Sequence, residues 1–245
     1  MGHLIAIASG KGGTGKTTTT ANLSLALGRM GHRVLAIDAD LTMANLSLVM
    51  GIDDAPQTIH DVLAGDSEIY DAIYETRYQN VYLIPAAIDW EHVKRADPRR
   101  LPEVIKPLKP DYDFVLIDCP AGLQMDAMNA MLSGEEVILV TNPEISCITD
   151  TMKVGIVLRK AGLAMLGFVL NRYGRSDNDI PPEAAEEVME IPLLQVIPED
   201  KKVREATLEG VPVVEYDKKS EGAKAFMKLA EEVERIAGMK ARVMY

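Results

Sequence analysis

Nine residues near the N-terminus, 10–18, have the types and the spacing that bind phosphate. They spell GKGGTGKTT, which satisfies Gly-x-x-x-x-Gly-Lys-Ser/Thr and adds a lysine, Lys11, inside the loop. The glycines allow a tight turn whose N–H groups approach phosphate oxygens, and the positive end of a following helix adds attraction. Lys16 would supply a point charge to the phosphates, and the Thr17 hydroxyl could ligate Mg²⁺. The predicted phosphate loop consists of Gly10, Lys11, Gly12, Gly13, Thr14, Gly15, Lys16, Thr17 and Thr18.

Aspartates stand at the ends of two further apolar runs. Asp38 and Asp40 follow residues 33–37, and Asp118 follows residues 114–117 in the arrangement known as Walker B. Ligands of open α/β sheets bind beyond the carboxyl ends of the strands, where these carboxylates would lie. Asp118 would hold Mg²⁺, usually through a water. Of Asp38 and Asp40, one could support Mg²⁺ through water while the other orients an attacking water.

Two later apolar runs end in residues that could contact a base. The amide of Asn171 offers a donor and an acceptor to a purine edge, and Pro198 could pack on the face of the base. Neither position is specific by itself, because an asparagine after a strand is usually a turn residue. The sequence has no Asn/Thr-Lys-x-Asp run, the guanine-reading motif of GTPases, so adenine is the expected base.

The elements that must position these residues alternate between strands and helices. The apolar runs are continuous, as in parallel strands covered on both faces, and they span 4–8, 33–37, 81–84, 114–117, 136–141, 166–170 and 193–197. Helical patterns span 18–30, 98–109, 149–161, 182–189, 201–208 and 220–237. We therefore expect a single α/β domain over 1–245, with a doubly wound, mostly parallel sheet of about seven to eight strands between helices. This is the Rossmann-like, three-layer P-loop NTPase fold.

Composition excludes several classes of protein. The chain has 245 residues, 47% of them apolar, and a net charge of −11, which disfavours non-specific nucleic-acid binding. It contains neither an apolar run long enough to span a membrane nor a visible signal sequence. The two cysteines, Cys119 and Cys147, form no CxxC and are expected to be buried small residues. We expect a cytoplasmic protein.

These motifs together resemble the MinD/ParA family of P-loop ATPases. Residues 11–17 match its deviant Walker A motif, and residues 34–46, 58–63 and 141–146 are similar to its MinD branch in particular. The resemblance covers nearly the whole chain, to about Gly238. It implies slow hydrolysis of ATP to ADP with Mg²⁺, and a homodimer that forms when ATP binds.

The resemblance also implies roles for individual residues. Lys11 would cross the dimer interface and touch the partner's phosphates, Lys16 would bind the β- and γ-phosphates, and Asp40 would position the attacking water. The implied metal residues are Thr17 and Asp38, with Asp118 in contact through water. The other implied cofactor-binding residues are Asn45 near the phosphates and, around the adenine, Asn171, Arg172, Pro198, Glu199 and Asp200.

The implied function is a dimerising spatial regulator in cell division or polar positioning, which acts with a protein partner. The alternatives are a ParA-like partition ATPase, disfavoured by the acidic balance, and a non-catalytic scaffold gated by ATP. An iron–sulfur carrier of the same fold would need the absent CxxC. The apolar stripe of residues 226–237 is expected to pack on the sheet. The tail, 239–245, is basic and partly apolar but short, so only weak peripheral contact with the inner face of the membrane is expected.

Overall fold

A computed structural model describes residues 2–52, 55–88 and 90–243. The strands of this part of the chain are β1 (His3–Ala8), β2 (Val34–Asp38), β3 (Tyr74–Glu75), β4 (Val81–Ile84), β5 (Phe114–Asp118), β6 (Glu136–Thr141), β7 (Ala164–Tyr173) and β8 (Leu193–Pro198). They form one sheet in the order β3-β4-β2-β5-β1-β6-β7-β8. Every pair is parallel except β3 with β4. The predicted doubly wound, mostly parallel sheet is confirmed.

Helices connect the strands and cover both faces of the sheet. They are α1 (Lys16–Arg29), α2 (Leu46–Met50), α3 (Ile59–Ala64), α4 (Trp90–Arg95), α5 (Leu101–Ile105), α6 (Met125–Met131), α7 (Ile145–Lys160), α8 (Pro182–Met189), α9 (Lys201–Leu208), α10 (Val213–Tyr216) and α11 (Glu221–Val243). The helices predicted over 182–189 and 201–208 have the expected bounds. The sequence patterns missed β3 and the shortest helices, because two to seven residues hold too little periodicity to detect.

Three predicted helices were wrong in part. The helix expected over 149–161 begins a turn earlier, at Ile145. Asp97 accepts a hydrogen bond from the backbone of Arg99 as the expected cap, but residues 98–109 form two 3₁₀ segments on either side of α5. Three prolines at 102, 107 and 110 prevent a continuous helix there. At the other end, α11 continues through Gly238 to Val243 instead of ending before it. The residues after Gly238 include lysine, alanine and arginine, which favour helix. Met244 and Tyr245 of the predicted tail lie outside the described residues.

Alternate residues of the buried strands pack on opposite faces of the sheet. Ile5 and Ile7 of β1 contact the layer of α1 and α11, whereas Leu4 and Ala6 belong to the core under α3, α5, α6 and α7. The continuous apolar runs are thereby explained, because both faces are covered. None of the helices in the described ranges has the length and apolar character needed to cross a membrane.

The stripe of α11 packs on the sheet as expected, and Phe226 at its centre is fully buried. Replacing Phe226 with alanine should lower the free energy of unfolding by about 3–5 kcal/mol, because a large cavity would remain. Urea denaturation measures this loss. Lys228→Ala on the exposed face of the same helix serves as the control and should change stability by less than about 0.5 kcal/mol. Equal losses in the two variants would contradict the packing.

Candidate nucleotide site

The phosphate loop connects β1 to α1 and leaves the start of α1 open. Gly15 occupies the N-cap of α1 with a φ of 96°, and no side chain hydrogen-bonds to the first N–H groups. A β-carbon at this position would lie 2.2 Å from Nδ2 of Asn171, so glycine is required both for its conformation and for space. The N–H groups of the first turn are therefore available to phosphate oxygens.

Asn171, at the end of β7, supports this loop from the side. Its Nδ2 donates a hydrogen bond of 2.7 Å to the carbonyl of Thr14. Its Oδ1 is the amide atom left to accept from a purine amino group. The hydroxyl of Thr14 is buried and has no hydrogen-bond partner in the described structure. Asn171 thus belongs to the loop as well as to the predicted base site.

Asp38 and Asp118 are buried side by side, because they are register partners at the ends of β2 and β5. Asp38 Oδ2 accepts from the backbone N–H of Asn45 at 3.1 Å and of Leu46 at 2.9 Å, at the start of α2. Its Oδ1 accepts from the N–H of Asp40 at 3.2 Å. Asp38 therefore fixes the chain that follows β2, including two predicted site residues.

Burial disfavours the ionised form of both carboxyl groups. It raises the pKa of Asp38 well above the usual range, and the nearby charge of Asp118 raises that pKa further. Burial likewise raises the pKa of Asp118 to about 6, although a hydrogen bond from Thr17 and the charge of Lys16 oppose this. A divalent cation would stabilise both ionised groups, so the donor set fits Mg²⁺.

The metal would depend on the nucleotide for most of its ligands. In the described ranges, no group of three or more histidine, cysteine, aspartate or glutamate side chains is placed to hold a metal alone. Mg²⁺ typically binds one or two protein groups together with water and substrate phosphates. Thr17, Asp38 and Asp118 would hold it in this way.

A cleft of about 780 Å³ runs along the carboxyl ends of the strands. The predicted residues that line it are Gly12, Gly13, Gly15, Lys16, Thr17, Thr18, Asp40, Asn45, Asn171, Arg172, Pro198, Glu199 and Asp200. Gly10, Lys11, Thr14, Asp38 and Asp118 are predicted residues that do not line it. The lining residues outside the predicted site are Thr42, Met43, Val49, Pro120, Ala121, Gln124, Asp126, Ala127, Ile197, Val203, Arg204, Thr207 and Leu208.

At the predicted base end, the acidic side chains are engaged with the protein. Glu199 pairs with Arg172 at 3.3 Å and with Arg204 at 3.0 Å. Asp200 caps α9 by accepting from the N–H of Lys202 at 2.8 Å, and it also accepts from the N–H of Gly222 at 2.9 Å. These carboxylates shape the cleft wall, so direct contacts to a base would come from the backbone here and from Asn171.

Lys11 points away from the cleft and towards α7. Its Nζ lies 3.4 Å from Oδ2 of Asp150, whose other oxygen is 2.8 Å from Nζ of Lys153. The charges and hydrogen bonds of Lys153 and then Lys11 lower the pKa of Asp150. Gly10 is also held on α7, where its N–H donates to Thr151 Oγ1 at 3.2 Å. The two lysines of the loop therefore face in different directions.

His60 is a supporting residue that the sequence patterns did not single out. It is buried, its Nε2 donates to the carbonyl of Leu41 at 2.9 Å, and its Nδ1 accepts from the N–H of Ala87 at 3.0 Å. It thereby joins the loop after β2 to the loop after β4. A histidine in an apolar helix offers no local signal for this role, because both partners are backbone groups of distant segments.

Comparisons with known proteins agree with this geometry. An AAA domain model matches residues 2–154. The septum site-determining protein MinD of Pyrococcus horikoshii OT3, solved in complex with Mg-ADP, is 71% identical, with a TM-score of 0.96 over 98% of this chain and 99% of that one. The chain belongs to the MinD/ParA family of P-loop ATPases. Like the family, it is an ATPase whose cofactors are ATP or ADP and Mg²⁺.

Two further relatives are similar over almost their whole length. An uncharacterized ATP-binding protein of Methanocaldococcus jannaschii is 43% identical, covering 94% of this chain and 87% of the relative. MinD in the MinC:MinD cell division complex of Aquifex aeolicus is 29% identical, with a TM-score of 0.83 over 95% of this chain and 96% of that one.

A second model, of 4Fe-4S iron sulfur cluster binding proteins of the NifH/frxC family, matches residues 108–242. Neither cysteine is placed for such a cluster. Cys119 is fully buried and its Sγ donates to the carbonyl of Ile117, while the Sγ of Cys147 donates to Glu144. Burial raises the pKa of both thiols, which disfavours the thiolate that a cluster needs. The match therefore reflects the common ATPase fold.

Asp118→Asn should stabilise the metal-free protein. The folded pKa of about 6 lies above the ordinary value of 3.8, so ionisation of Asp118 opposes folding: the penalty grows as the pH rises from 3.8 to about 6 and is complete above that. At pH 8 in EDTA, the free energy of unfolding should rise by about 1–3 kcal/mol, and the gain should fade as the pH is lowered to 4. Urea denaturation at both pH values measures this. Asp97→Asn is the control, because the pKa of Asp97 is shifted in the other direction, to about 2. The Asp97→Asn variant should not gain stability.

Proposed function

We propose that the chain is a MinD-type switch, in which ATP joins two copies face to face and slow hydrolysis separates them. The support is a set of exposed apolar side chains around the mouth of the cleft. This apolar rim consists of Met43, Ile88, Leu123, Met125 and Ile145, which are between 42% and 73% exposed.

The apolar rim has a simple structural origin. Its members follow β2, β4, β5 and β6, and the carboxyl ends of parallel strands lie at the same edge of a sheet. Soluble proteins rarely expose a large contiguous apolar patch unless it binds something. Because the rim lies at the same edge of the sheet as the nucleotide cleft, and Met43 lines both, a second copy placed over it would also cover the nucleotide.

The position of Lys11 supports a site completed by the second copy. Its ammonium pairs with Asp150 on α7 and does not line the cleft of its own subunit. That ion pair is partly exposed and therefore weak, so a nucleotide phosphate of the facing copy could displace it. A cation supplied across an interface neutralises charge that develops in phosphoryl transfer.

Hydrolysis would depend on positioning the attacking water and on neutralising the charge of the phosphates. Lys16 neutralises the phosphates, and Asp40 orients the attacking water from the wall of the cleft. Thr17, Asp38 and Asp118 would hold Mg²⁺, which would supply positive charge to offset the charge that develops on the phosphates. A monomer would turn over slowly because Lys11 pairs with Asp150 and does not line the cleft of its own subunit.

The biological setting follows by similarity. The relatives solved from Pyrococcus horikoshii and Aquifex aeolicus are a septum site-determining protein and the MinD of a MinC:MinD complex. We infer a role in cell division or polar positioning, in which the ATP-bound dimer recruits a protein partner. A net charge of −11 disfavours DNA as that partner.

Lys11→Ala should keep ATP binding and lose dimerisation, with turnover reduced by about tenfold or more. Calorimetry measures binding, light scattering measures mass with ATP, and phosphate release measures turnover. Lys153→Ala is the matched control, because Lys153 pairs with the same Asp150, and it should behave as wild type. A Lys11→Ala monomer with wild-type turnover would refute catalysis across the interface.

Asp40→Ala separates a hydrolysing switch from a scaffold that is only gated by ATP. The variant should form an ATP dimer that persists, because the water is no longer oriented. A wild type that releases no more phosphate than this variant would favour the scaffold. The persistent dimer is also the form with which to capture a protein partner.

We also infer weak membrane contact through the end of α11, where Met239 is exposed. Two copies of this basic, partly apolar segment in a dimer would bind better than one. The Asp40→Ala protein should therefore sediment with phosphatidylglycerol-containing vesicles in ATP but not in ADP, and a chain truncated after Gly238 should not sediment. Equal sedimentation in both nucleotides would contradict a dimer-dependent contact.

A further inference from the structure

Two opposite walls of the cleft meet at their far ends. Asn45 and Val49 line the cleft from the side of α2, and Thr207 and Leu208 line it from α9. Both helices are followed by a glycine in the left-handed region, Gly51 with a φ of 68° and Gly210 with a φ of 62°. The two walls begin at different parts of the predicted site. Helix α2 starts beside Asp38, at the predicted metal site, and α9 starts beside residues 198–200, the predicted base segment.

The two helix ends are in direct backbone contact. A β-carbon on Gly51 would lie 2.6 Å from the carbonyl oxygen of Gly210. A β-carbon on Gly210 would in turn lie 2.9 Å from the carbonyl oxygen of Leu48. The absence of side chains at both positions is therefore what allows α2 and α9 to touch.

Arg77 joins this contact from a third segment, just before β4. Its Nη2 donates a hydrogen bond of 2.9 Å to the carbonyl of Gly210, and it lies 2.8 Å from where a β-carbon of Gly51 would stand. The guanidinium is oriented by Tyr78, whose ring centroid is 5.2 Å away. A cation is favourable there because the carboxyl ends of two helices present unpaired carbonyls and partial negative charge.

We propose that Arg77 is a positioning residue for nucleotide binding, which holds the last turn of α9 against α2 and so fixes α9 as the cleft wall that follows the base segment. The proposal rests on the nucleotide lying in the cleft as proposed above. The chain runs from the base segment, residues 198–200, through α9 to this junction, so loss of the junction should weaken binding of the adenine more than binding of the phosphates.

The chain after α9 has further attachments that keep it folded without Arg77. The N–H of Val214 donates to Oδ1 of Asn22 at 3.1 Å, and Arg29 bonds to the carbonyl of Val214. Both partners belong to α1. Loss of Arg77 should therefore loosen the end of α9 and leave α10 in place.

The test compares ATP with inorganic tripolyphosphate, which shares the phosphates but has no base. Titration calorimetry with Mg²⁺ should show that Arg77→Ala raises the Kd for ATP by about 3- to 10-fold, the loss expected for one hydrogen bond. The Kd for tripolyphosphate should rise by less. A general loss of folding would weaken both ligands equally, so the ratio of the two constants isolates the base.

Two further variants sharpen the result. Gly210→Ala forces a β-carbon against the carbonyl of Leu48, and it should reduce the preference for ATP over tripolyphosphate at least as much as Arg77→Ala does. Arg77→Lys should retain part of that preference. Arg99→Ala, a surface arginine paired with Asp97, is the control and should match wild type. If Arg77→Ala leaves the ratio of the two Kd values unchanged, the role of Arg77 is overturned but the nucleotide site is not. A wild type without preference for ATP overturns the nucleotide site and this role with it.

Discussion

Two buried carboxylates at the ends of adjacent strands, Asp38 and Asp118, constrain the whole site. Their charges are unfavourable in the core, and the surrounding structure offsets this with the N–H groups at the start of α2, with Thr17 and with Lys16. A cation bound with the nucleotide would complete the compensation. The metal-free protein is thus poised to gain stability when Mg²⁺ and nucleotide bind.

The same carboxylates connect the metal to the geometry of the cleft. Asp38 holds the start of α2, α2 meets α9 at the glycine junction, and α9 forms the wall at the base end. His60 fixes the loop after β2 to the loop after β4, next to the apolar rim. The cleft is therefore built from backbone contacts between segments that are far apart in the chain. Occupancy of the nucleotide site and the shape of the surrounding face would depend on each other.

Much of this arrangement was predictable from local patterns. Continuous apolar runs located seven of the eight strands of the described sheet, because both faces of those strands are buried. The short β3 and α2 gave no signal, since stability at these lengths comes from tertiary packing and not from periodicity. The helix expected over residues 98–109 was interrupted by prolines. The helix expected to end before Gly238 continued, because a glycine ends a helix only where the chain also turns away.

The chemistry of the site was predictable from local residue patterns: a phosphate loop with two lysines, aspartates at strand ends, and an asparagine available for a purine. These signals are local, since each depends on residue types at short fixed spacing. Only the tertiary structure decided which way each side chain faces. It turned Lys11 towards Asp150 and brought Arg77 to the ends of two helices. Those outcomes depend on contacts between segments separated by more than a hundred residues, or on the exact path of the backbone, which no local pattern encodes.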